Sequence, residues 1–326
     1  MSDSRTLCNA HADGEPLEVS LCLRRIADLR PMAANRESLD LINQLPCWSG
    51  KVDPMPLLGG ITNKNYLVTD RRQKFVVRLG EDIPVHGVMR FNELAASRAA
   101  FAAGISPEVI YAEPGALVLR YIEGRALSPE LVRDAARLPR VVDLVKRCHE
   151  QVPHYLRGPS LVFWVFQVIR GYATELQAYA SPHVGLLPQL VERAERLERE
   201  VQPVSIVFGH NDLLAANFID DGKRLWLIDW DYAGFNSPLF GLGGLVSNSE
   251  LDADQTRFVL ERYFGKVESG LERRFAAMTC ASLLRETMWS MVSEVHSKVE
   301  FDYAAYTRDY LARFGRAYDA FAKDAQ

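Results

Sequence analysis

The residues best suited to chemistry form a short loop from His210 to Asn217, followed by Asp229 after a predicted turn. Phosphoryl transfer requires a carboxylate that accepts the proton of the attacking hydroxyl, and oxygen ligands that hold magnesium on the nucleotide phosphates. The spacing predicts Asp212 as the catalytic base and Asn217 and Asp229 as the magnesium ligands. His210 is predicted to support the loop and not to exchange protons. These residues predict phosphoryl transfer that uses ATP and Mg²⁺.

Two apolar runs flank this loop and are predicted to be strands. They cover residues 204–208 and 225–228, and the turn residues 220–223 lie between them. Pairing of these runs would bring the three predicted site residues to the ends of neighbouring strands. A His-x-Asp triplet occurs by chance in many chains, but the complete set at this spacing favours the catalytic interpretation.

The composition is typical of an enzyme that acts on a small molecule. The chain has 326 residues, 48% of them hydrophobic, and this length favours two lobes with a cleft between them. A net charge of −4 and a pI near 6.0 provide no basic surface for nucleic acid, and no apolar run is long enough for a membrane span. Five scattered cysteines and an N-terminus without a signal-peptide pattern predict a cytoplasmic protein.

The chain is predicted to divide into three parts. Residues 1–31 show no sustained periodicity and are predicted to be a disordered extension. A second hypothesis places them upstream of the true initiator, because Met32 begins a sequence typical of a natural start. Residues 32–122 are the predicted nucleotide-binding lobe, and residues 123–326 are predicted to carry the catalytic loop, the metal site and the acceptor pocket.

A glycine turn within residues 57–68 is the predicted phosphate-binding loop. Gly60 would let the backbone approach phosphate oxygens, and Thr62, Asn63 and Asn65 offer hydrogen-bond donors. By itself a Gly-Gly pair between two strands predicts only a hairpin. The catalytic loop downstream favours the phosphate-binding interpretation.

Arg78, on the strand after this turn, is the predicted cation for the nucleotide phosphates. A helix is predicted over residues 90–103, because apolar residues such as Phe91 and Phe101 recur at helical spacing. Glu93 lies on this helix and is expected to pair with Arg78 and orient it toward the nucleotide. The simpler alternatives are a solvated strand-edge arginine and an exposed helical acid.

The rest of the chain predicts an α+β protein. Strands at 109–111 and 116–122 complete a small antiparallel sheet, and residues 121–125 are the predicted hinge beside the adenine. After Ser128 the chain is mostly helical, with segments near 130–150, 161–180, 186–201, 252–264, 269–298 and 302–323. We therefore expect a sheet lobe with one main helix, followed by a larger and mainly helical lobe.

Together these residues resemble the choline/ethanolamine kinases, particularly the bacterial choline kinase-like branch, within the aminoglycoside phosphotransferase and protein-kinase-like fold. The similarity runs from about Leu57 to about Phe314 and includes the glycine turn, the Arg–Glu pair and the catalytic loop. The catalytic loop alone does not separate choline kinases from aminoglycoside kinases. Asp231 in the Asp-Trp-Asp-Tyr block and the stretch from Trp289 to Tyr306 favour the choline kinases. The resemblance implies a protein-kinase-like two-lobed fold with magnesium-ATP between the lobes, and phosphocholine as the product.

The expected acceptor is a small amino-alcohol. A quaternary ammonium donates no hydrogen bond, so its site relies on aromatic faces and nearby carboxylates. Trp289, Asp231 and Tyr303 are the predicted acceptor-binding residues, although each aromatic residue has a simpler interpretation as core. Ethanolamine, thiamine, an aminoglycoside or another hydroxylated metabolite are alternative acceptors. A polycationic sugar would require many carboxylates in the pocket.

One position departs from the family pattern. Relatives usually carry an aspartate after Pro-Leu-Phe, where this chain has Gly241, and that aspartate typically braces the catalytic loop. Loss of a buried anchor predicts reduced turnover, but not its loss, because the base and both metal ligands are present. The same departure motivates a further hypothesis, a nucleotide-binding pseudokinase that acts as an interaction module, which the complete metal ligands argue against.

Overall fold

The computed structural model describes residues 36–57, 63–299 and 301–324. Gly60 and Thr62 of the predicted phosphate loop, and the predicted extension 1–31, lie outside the described residues. The strands are β1 (Met55–Pro56), β2 (Lys64–Asp70), β3 (Gln73–Leu79), β4 (Val109–Glu113), β5 (Ala116–Arg120), β6 (Arg125–Ala126), β7 (Val207–Gly209), β8 (Phe218–Asp220), β9 (Leu225–Leu227) and β10 (Gly234–Asn236). The helices are α1 (Arg36–Gln44), α2 (Arg90–Ala102), α3 (Pro129–Arg133), α4 (Leu138–Tyr155), α5 (Val165–Ala178), α6 (Leu187–Glu200), α7 (Pro238–Ser249), α8 (Ala253–Phe264), α9 (Leu271–His296) and α10 (Tyr303–Lys323).

The N-terminal part is a five-stranded antiparallel sheet in the order β1-β2-β3-β5-β4. Strand β3 is rich in apolar and β-branched residues that suit a central, largely buried strand. Its Val77 packs with Val68 of β2, Val118 of β5 and Ile42 of α1 in a small core of their own. This sheet positions Arg78, which lies next to Val77 on the central strand.

Helix α2 buries its alanine and Glu93 face and exposes its two phenylalanines. Phe91 and Phe101 are 46% and 45% exposed, whereas Glu93, Ala96 and Ala100 are buried. The predicted helix is present, but its apolar spacing does not identify the face that it buries. Alanine side chains allow α2 to approach α4 closely, and the alanines of α2 belong to the same core as the C-terminal helices. This orientation turns Glu93 toward Arg78.

The C-terminal part is helical and is organised around α9. This helix is buried over most of its length and contacts α5, α6, α7 and α10. No described helix combines the length and apolar character that a membrane span requires. The chain leaves the five-stranded sheet after β5, and β6 then pairs with β8 in a second, three-stranded sheet.

The strand pairing around the catalytic loop differs from the predicted one. Strand β7 pairs with β10, and β9 pairs with β8, so the expected pairing of residues 204–208 with 225–228 was wrong. A tight turn pairs the residues directly before and after it. Here Asp220, before the turn, pairs with Leu225, after it, so residues 225–227 pair with β8. The loop between β7 and β8 is thus held between two small sheets.

Candidate active site

His210 fixes the start of the catalytic loop through both ring nitrogens. Its Nε2 donates to the carbonyl oxygen of Ile228 at 2.8 Å, and its Nδ1 accepts from the backbone N–H of Asp212 at 3.3 Å. Burial lowers the pKa of His210 below its usual value, so the ring is neutral at neutral pH. Because both nitrogens are engaged within the fold, the geometry suits a supporting role.

Asn211 holds the loop against the chain that follows Asp229, a role that the sequence did not indicate. Its φ is 63°, a left-handed conformation that asparagine tolerates better than most residues. Its Nδ2 donates to the carbonyl oxygens of Tyr232 at 3.0 Å and Gly234 at 3.1 Å. The loop is therefore anchored by a residue within it.

Gly241 lies beside this loop on α7. A Cβ placed there would be 3.6 Å from Leu213 Cδ1 and 3.7 Å from His149 Nε2, which are ordinary contact distances. A void of about 10 Å³ adjoins Gly241, Asn211 and Leu213. The reduced turnover expected from Gly241 stays a prediction, and the bonds of Asn211 and His210 provide the loop with other anchors.

Asp212 lies at the wall of the main cavity, and its carboxyl group has a pKa raised to about 7. Burial is the largest cause, the charge of Glu286 adds to it, and the nearby Arg285 opposes it. Asn217 donates from Nδ2 to the Asp212 carbonyl oxygen at 2.9 Å and to its carboxylate at 3.3 Å. This orientation directs the amide nitrogen of Asn217 to Asp212 and leaves its amide oxygen for another ligand.

Asp229 also lines the cavity and has the second unusual backbone conformation of the site, with φ at 71°. Its side chain is 25% exposed, and its Oδ1 accepts from Arg78 Nη2 at 2.7 Å. Asn217 and Asp229 are thus two oxygen-bearing side chains on one cavity. Within the described part of the chain, no group of three or more His, Cys, Asp or Glu residues could hold a metal. The pair suits a magnesium ion that takes its remaining ligands from phosphates and water.

A buried ion cluster lies behind Asp229. Arg78 Nε is 2.9 Å from Glu93 Oε1, which confirms the predicted ion pair. Asp231 Oδ1 is 2.9 Å from Arg78 and 3.0 Å from Arg90, and Asp231 Oδ2 accepts from Asn63 at 2.9 Å. Burial disfavours the charge of Arg78, but the surrounding carboxylates outweigh it and raise its pKa. The cluster links the exit of the glycine turn to the metal-site segment.

The main cavity has a volume of about 460 Å³ and is lined from both parts of the chain. Its N-terminal wall is mainly apolar and comes from the sheet and the hinge, including Leu57, Val76, Leu119, Tyr121 and Ile122. Its C-terminal wall comes from the catalytic loop, from residues 228–232, and from α9 and α10, which contribute Arg285, Glu286, Trp289 and Tyr306.

The structure brings together most of the residues predicted from the sequence. The following predicted residues line the cavity: Asn65, Arg78, Asp212, Asn217, Asp229, Asp231 and Trp289. His210, Glu93 and Asn63 contact these residues from behind. Tyr303 is buried next to Trp289, with ring centres 6.0 Å apart, and its hydroxyl bonds to Ser297, whereas Tyr306 reaches the cavity.

Four further residues shape the site without having been predicted as members: Arg90, Asn211, Arg285 and Glu286. Asn211 belongs to the catalytic loop that the sequence identifies, but the sequence does not indicate that it anchors this loop. Arg285 precedes Trp289 by one helical turn, which places both on one face of α9.

Comparison with known proteins identifies chains that are similar over most of their length. The sequence matches the family model of choline/ethanolamine kinase over residues 55–259. It is 27% identical over 269 residues to protein LicA of Haemophilus influenzae, covering 77% of this chain and 76% of that protein. It is 27% identical over 301 residues to ethanolamine kinase 2 of Mus musculus, covering 82% and 77%. A choline/ethanolamine kinase family protein from Mesorhizobium loti has the same fold, with a TM-score of 0.68, 26% identity and coverage of 86% and 92%. The predicted kinase-like α+β fold is thereby confirmed.

Proposed function

The chain belongs to the choline/ethanolamine kinase family and is a small-molecule phosphotransferase acting on an alcohol, and we propose that it phosphorylates an amino-alcohol of the choline and ethanolamine class with magnesium-ATP. The observation that carries this proposal is the convergence of Asp212, Asn217 and Asp229 on one cavity. A base, a metal-site amide and a metal-site carboxylate are the parts that hydroxyl phosphorylation requires.

The nucleotide occupies the side of the cavity formed by the sheet and the hinge. Arg78 binds phosphate oxygens, and Glu93 holds its guanidinium in position through the 2.9 Å ion pair. Asp231 contacts Nη2 of the same guanidinium at 2.9 Å, and Arg90 in turn holds Asp231 in position at 3.0 Å. We place the boundary between the nucleotide-binding and catalytic lobes at residue 122, where the chain leaves the five-stranded sheet.

Asn217 and Asp229 would hold the magnesium ion. Both supply the hard oxygen ligands that this ion prefers, and Asp229 is partly open to the cavity. When bound, magnesium neutralises charge on the phosphates. In the structure Arg78 pairs with Asp229. The guanidinium of Arg78 would therefore contact both Asp229 and the phosphate oxygens.

Asp212 accepts the proton of the acceptor hydroxyl. A carboxylate with a pKa near 7 is a stronger base than an ordinary aspartate; it is half ionised at neutral pH and becomes largely ionised at slightly alkaline pH. The Asn217 amide orients it, and His210 holds the preceding backbone. The acceptor oxygen then forms a bond to the γ-phosphorus while the bond to the leaving ADP oxygen breaks.

The acceptor occupies the wall formed by α9 and α10. Glu286 is the carboxylate that can bind its ammonium group, and Trp289 provides an apolar surface with Tyr303 packed behind it. The acidic residues of the described cavity lining are Asp212, Asp229, Asp231 and Glu286. The first three serve as base, metal ligand and member of the ion cluster, which leaves Glu286 for the acceptor, whereas a polycationic aminoglycoside would require many more carboxylates. A small acceptor with one amine therefore fits best.

The test is ADP release from ATP with choline, ethanolamine, thiamine or kanamycin, with and without EDTA. Asp212→Asn is the blank, and Asp221→Asn, in the β8–β9 turn and outside the cavity lining, is the matched control. We expect turnover with an amino-alcohol that EDTA and Asp212→Asn abolish and Asp221→Asn preserves. Turnover that persists in Asp212→Asn would overturn the base assignment, and kanamycin as the best acceptor would overturn the acceptor class.

A further inference from the structure

Glu286 is the carboxylate of the acceptor wall that serves neither as base, nor as metal ligand, nor in the buried ion cluster. It lines the cavity together with Asp212, and its side chain is 16% exposed. After burial, the charge of Glu286 is the strongest influence that raises the pKa of Asp212. Because interactions between charges weaken with distance, the two carboxylates are neighbours in the cavity. An acceptor whose hydroxyl lies at Asp212 can therefore bring an amine, a few bonds away, to Glu286.

Two donors hold Glu286 in place. Its Oε1 accepts from Tyr306 Oη at 2.8 Å, and its Oε2 accepts from Arg285 Nη1 at 2.8 Å. The hydroxyl of the buried Tyr172, which is not among the residues lining this cavity, accepts from the same guanidinium. An ionised carboxylate offers about four lone-pair sites, so Glu286 is fixed in orientation and can still accept hydrogen bonds from a ligand.

Arg285 compensates the charge of Glu286. Burial disfavours the charge of its guanidinium, but the surrounding groups, Glu286 first, outweigh burial and raise the pKa of Arg285. Arg285 is therefore a permanent cation beside the carboxylate, and the pair is close to neutral as a whole. Such a pair attracts a ligand cation only weakly through charge. A ligand gains most from it by donating a hydrogen bond to the carboxylate.

Two aromatic rings of this wall are already engaged within the fold. The guanidinium of Arg285 lies 4.4 Å from the ring centre of Tyr232, and a second cation at this ring would be repelled by the first. Tyr306 stacks on Tyr310, with ring centres 4.5 Å apart and planes 19° from parallel. A quaternary ammonium has no N–H bond to donate and depends on ring faces for its binding. These two residues offer it little.

Trp289 is the third aromatic residue of the wall, and it is also packed against other rings. Its ring centre lies 5.4 Å from that of His86, 6.0 Å from that of Tyr303 and 6.2 Å from that of Tyr306. Its indole N–H donates to Tyr232 Oη at 2.9 Å. Trp289 thus gives the cavity only part of its surface, and recognition at this wall depends on hydrogen bonds to Glu286 more than on aromatic faces.

We propose that Glu286 determines the specificity of the acceptor site by selecting an ammonium group that carries N–H bonds, a primary amine above all, over a fully methylated one. This inference rests on the proposed function and narrows its substrate class. The ammonium donates to Glu286 while the hydroxyl oxygen attacks the γ-phosphorus of ATP, its proton passes to Asp212, and the bond to the leaving ADP oxygen breaks. The preferred product is the phosphate ester of a primary amino-alcohol, in contrast to the phosphocholine that the sequence resemblance implies.

The first experiment measures kcat/KM of the full-length protein for ethanolamine, N-methylethanolamine, N,N-dimethylethanolamine and choline. We expect kcat/KM to fall along this series, with the largest step at choline, because the third methyl group removes the last N–H bond. Ethanolamine should exceed choline on the order of 100-fold, as the loss of one charged hydrogen bond provides. Equal values, or a preference for choline, would overturn this inference and leave the proposed function standing. Silence with all four acceptors, despite ATP binding, would overturn both.

The second experiment measures the ratio of kcat/KM for ethanolamine to that for choline in two matched variants of α9. Glu286→Gln should lower this ratio on the order of 10-fold or more, because a neutral amide is a weaker acceptor for an ammonium group than a carboxylate is. Glu294→Gln is the control and should leave the ratio unchanged. Glu294 lies about two turns further along the same helix and has the same 16% side-chain exposure, but it pairs with His183 outside the cavity lining.

A further variant keeps the test decisive if Glu286→Gln fails to fold. Glu286→Asp retains the negative charge beside Arg285 but withdraws the carboxylate by one methylene group. It should lower the ratio as well, by less than Glu286→Gln does, since a shorter side chain weakens the hydrogen bond to the ammonium group. The same ratio in wild type, Glu286→Asp and Glu294→Gln would contradict the assignment of specificity to Glu286.

Discussion

Replacement of Asp212 by asparagine should stabilise the protein while it abolishes turnover. Burial and the charge of Glu286 raise the Asp212 pKa from the usual 3.8 to about 7, so the folded state binds the proton more tightly than the unfolded state does. Ionisation of Asp212 therefore costs stability as the pH rises from about 4 to 7, and the cost is constant above that range. Asparagine keeps the shape and the hydrogen-bond acceptor for Asn217 but removes this cost.

The magnitude follows from the difference between the two pKa values. About three pH units at about 1.4 kcal/mol each correspond to about 4 kcal/mol, and contact with the open cavity reduces this value. We expect Asp212→Asn to raise the free energy of unfolding by about 2–4 kcal/mol at pH 8 and by about 1 kcal/mol at pH 5.

The assay is urea unfolding of the nucleotide-free protein at pH 5, 6, 7 and 8. Asp221→Asn provides a control of opposite sign, because backbone hydrogen bonds in its turn lower the pKa of Asp221 to about 2. The ionised Asp221 carboxylate stabilises the fold at pH values above the usual aspartate pKa, and this contribution is lost as the pH falls toward 2. Asp221→Asn should therefore lower the free energy of unfolding at pH 7. If the gain from Asp212→Asn does not grow between pH 5 and pH 8, the buried-carboxylate argument is refuted.

Three further perturbations test the surrounding structure. Arg78→Met should lower the free energy of unfolding by about 3–5 kcal/mol, because it leaves Glu93 and Asp231 buried with fewer partners. It should also weaken ATP binding. Urea unfolding measures the first effect and nucleotide titration the second. Asn211→Ala should lower the free energy of unfolding by about 2–3 kcal/mol, because it loses the hydrogen bonds to Tyr232 and Gly234 and strains the left-handed backbone. Asn211→Gly should lower it less, because glycine loses the same bonds but adopts the left-handed conformation without strain. Equal losses would mean that backbone strain has no part. Gly241→Ala should raise the melting temperature, because alanine favours a helix by about 0.5–1 kcal/mol over glycine. Gly243→Ala should lower the melting temperature, because its Cβ would lie 3.0 Å from the Thr279 backbone. The reverse order of melting temperatures would contradict the packing of α7 on α9.

The sequence by itself determined the chemistry of the site and the class of fold. Asp212, Asn217 and Asp229 were recognisable because they lie within eighteen residues, and short loops hold such residues together whatever surrounds them. The Arg78–Glu93 pair was also predictable, since a buried cation on a central strand requires an acidic partner from the neighbouring helix. Helical and strand periodicities were sufficient to indicate a small sheet followed by a helical part.

The buried faces of the helices and the pairing of the strands could be determined only from the tertiary structure. Apolar spacing identified helix α2 but not its buried face, which is the alanine face because α2 packs closely on α4. Glycines of low helix propensity concealed α7, which forms because Gly243 allows it to pack tightly against Thr279 of α9. Propensity and spacing are local, whereas burial and hydrogen-bond satisfaction depend on residues far apart in the chain, so these features are decided only when the whole core is assembled.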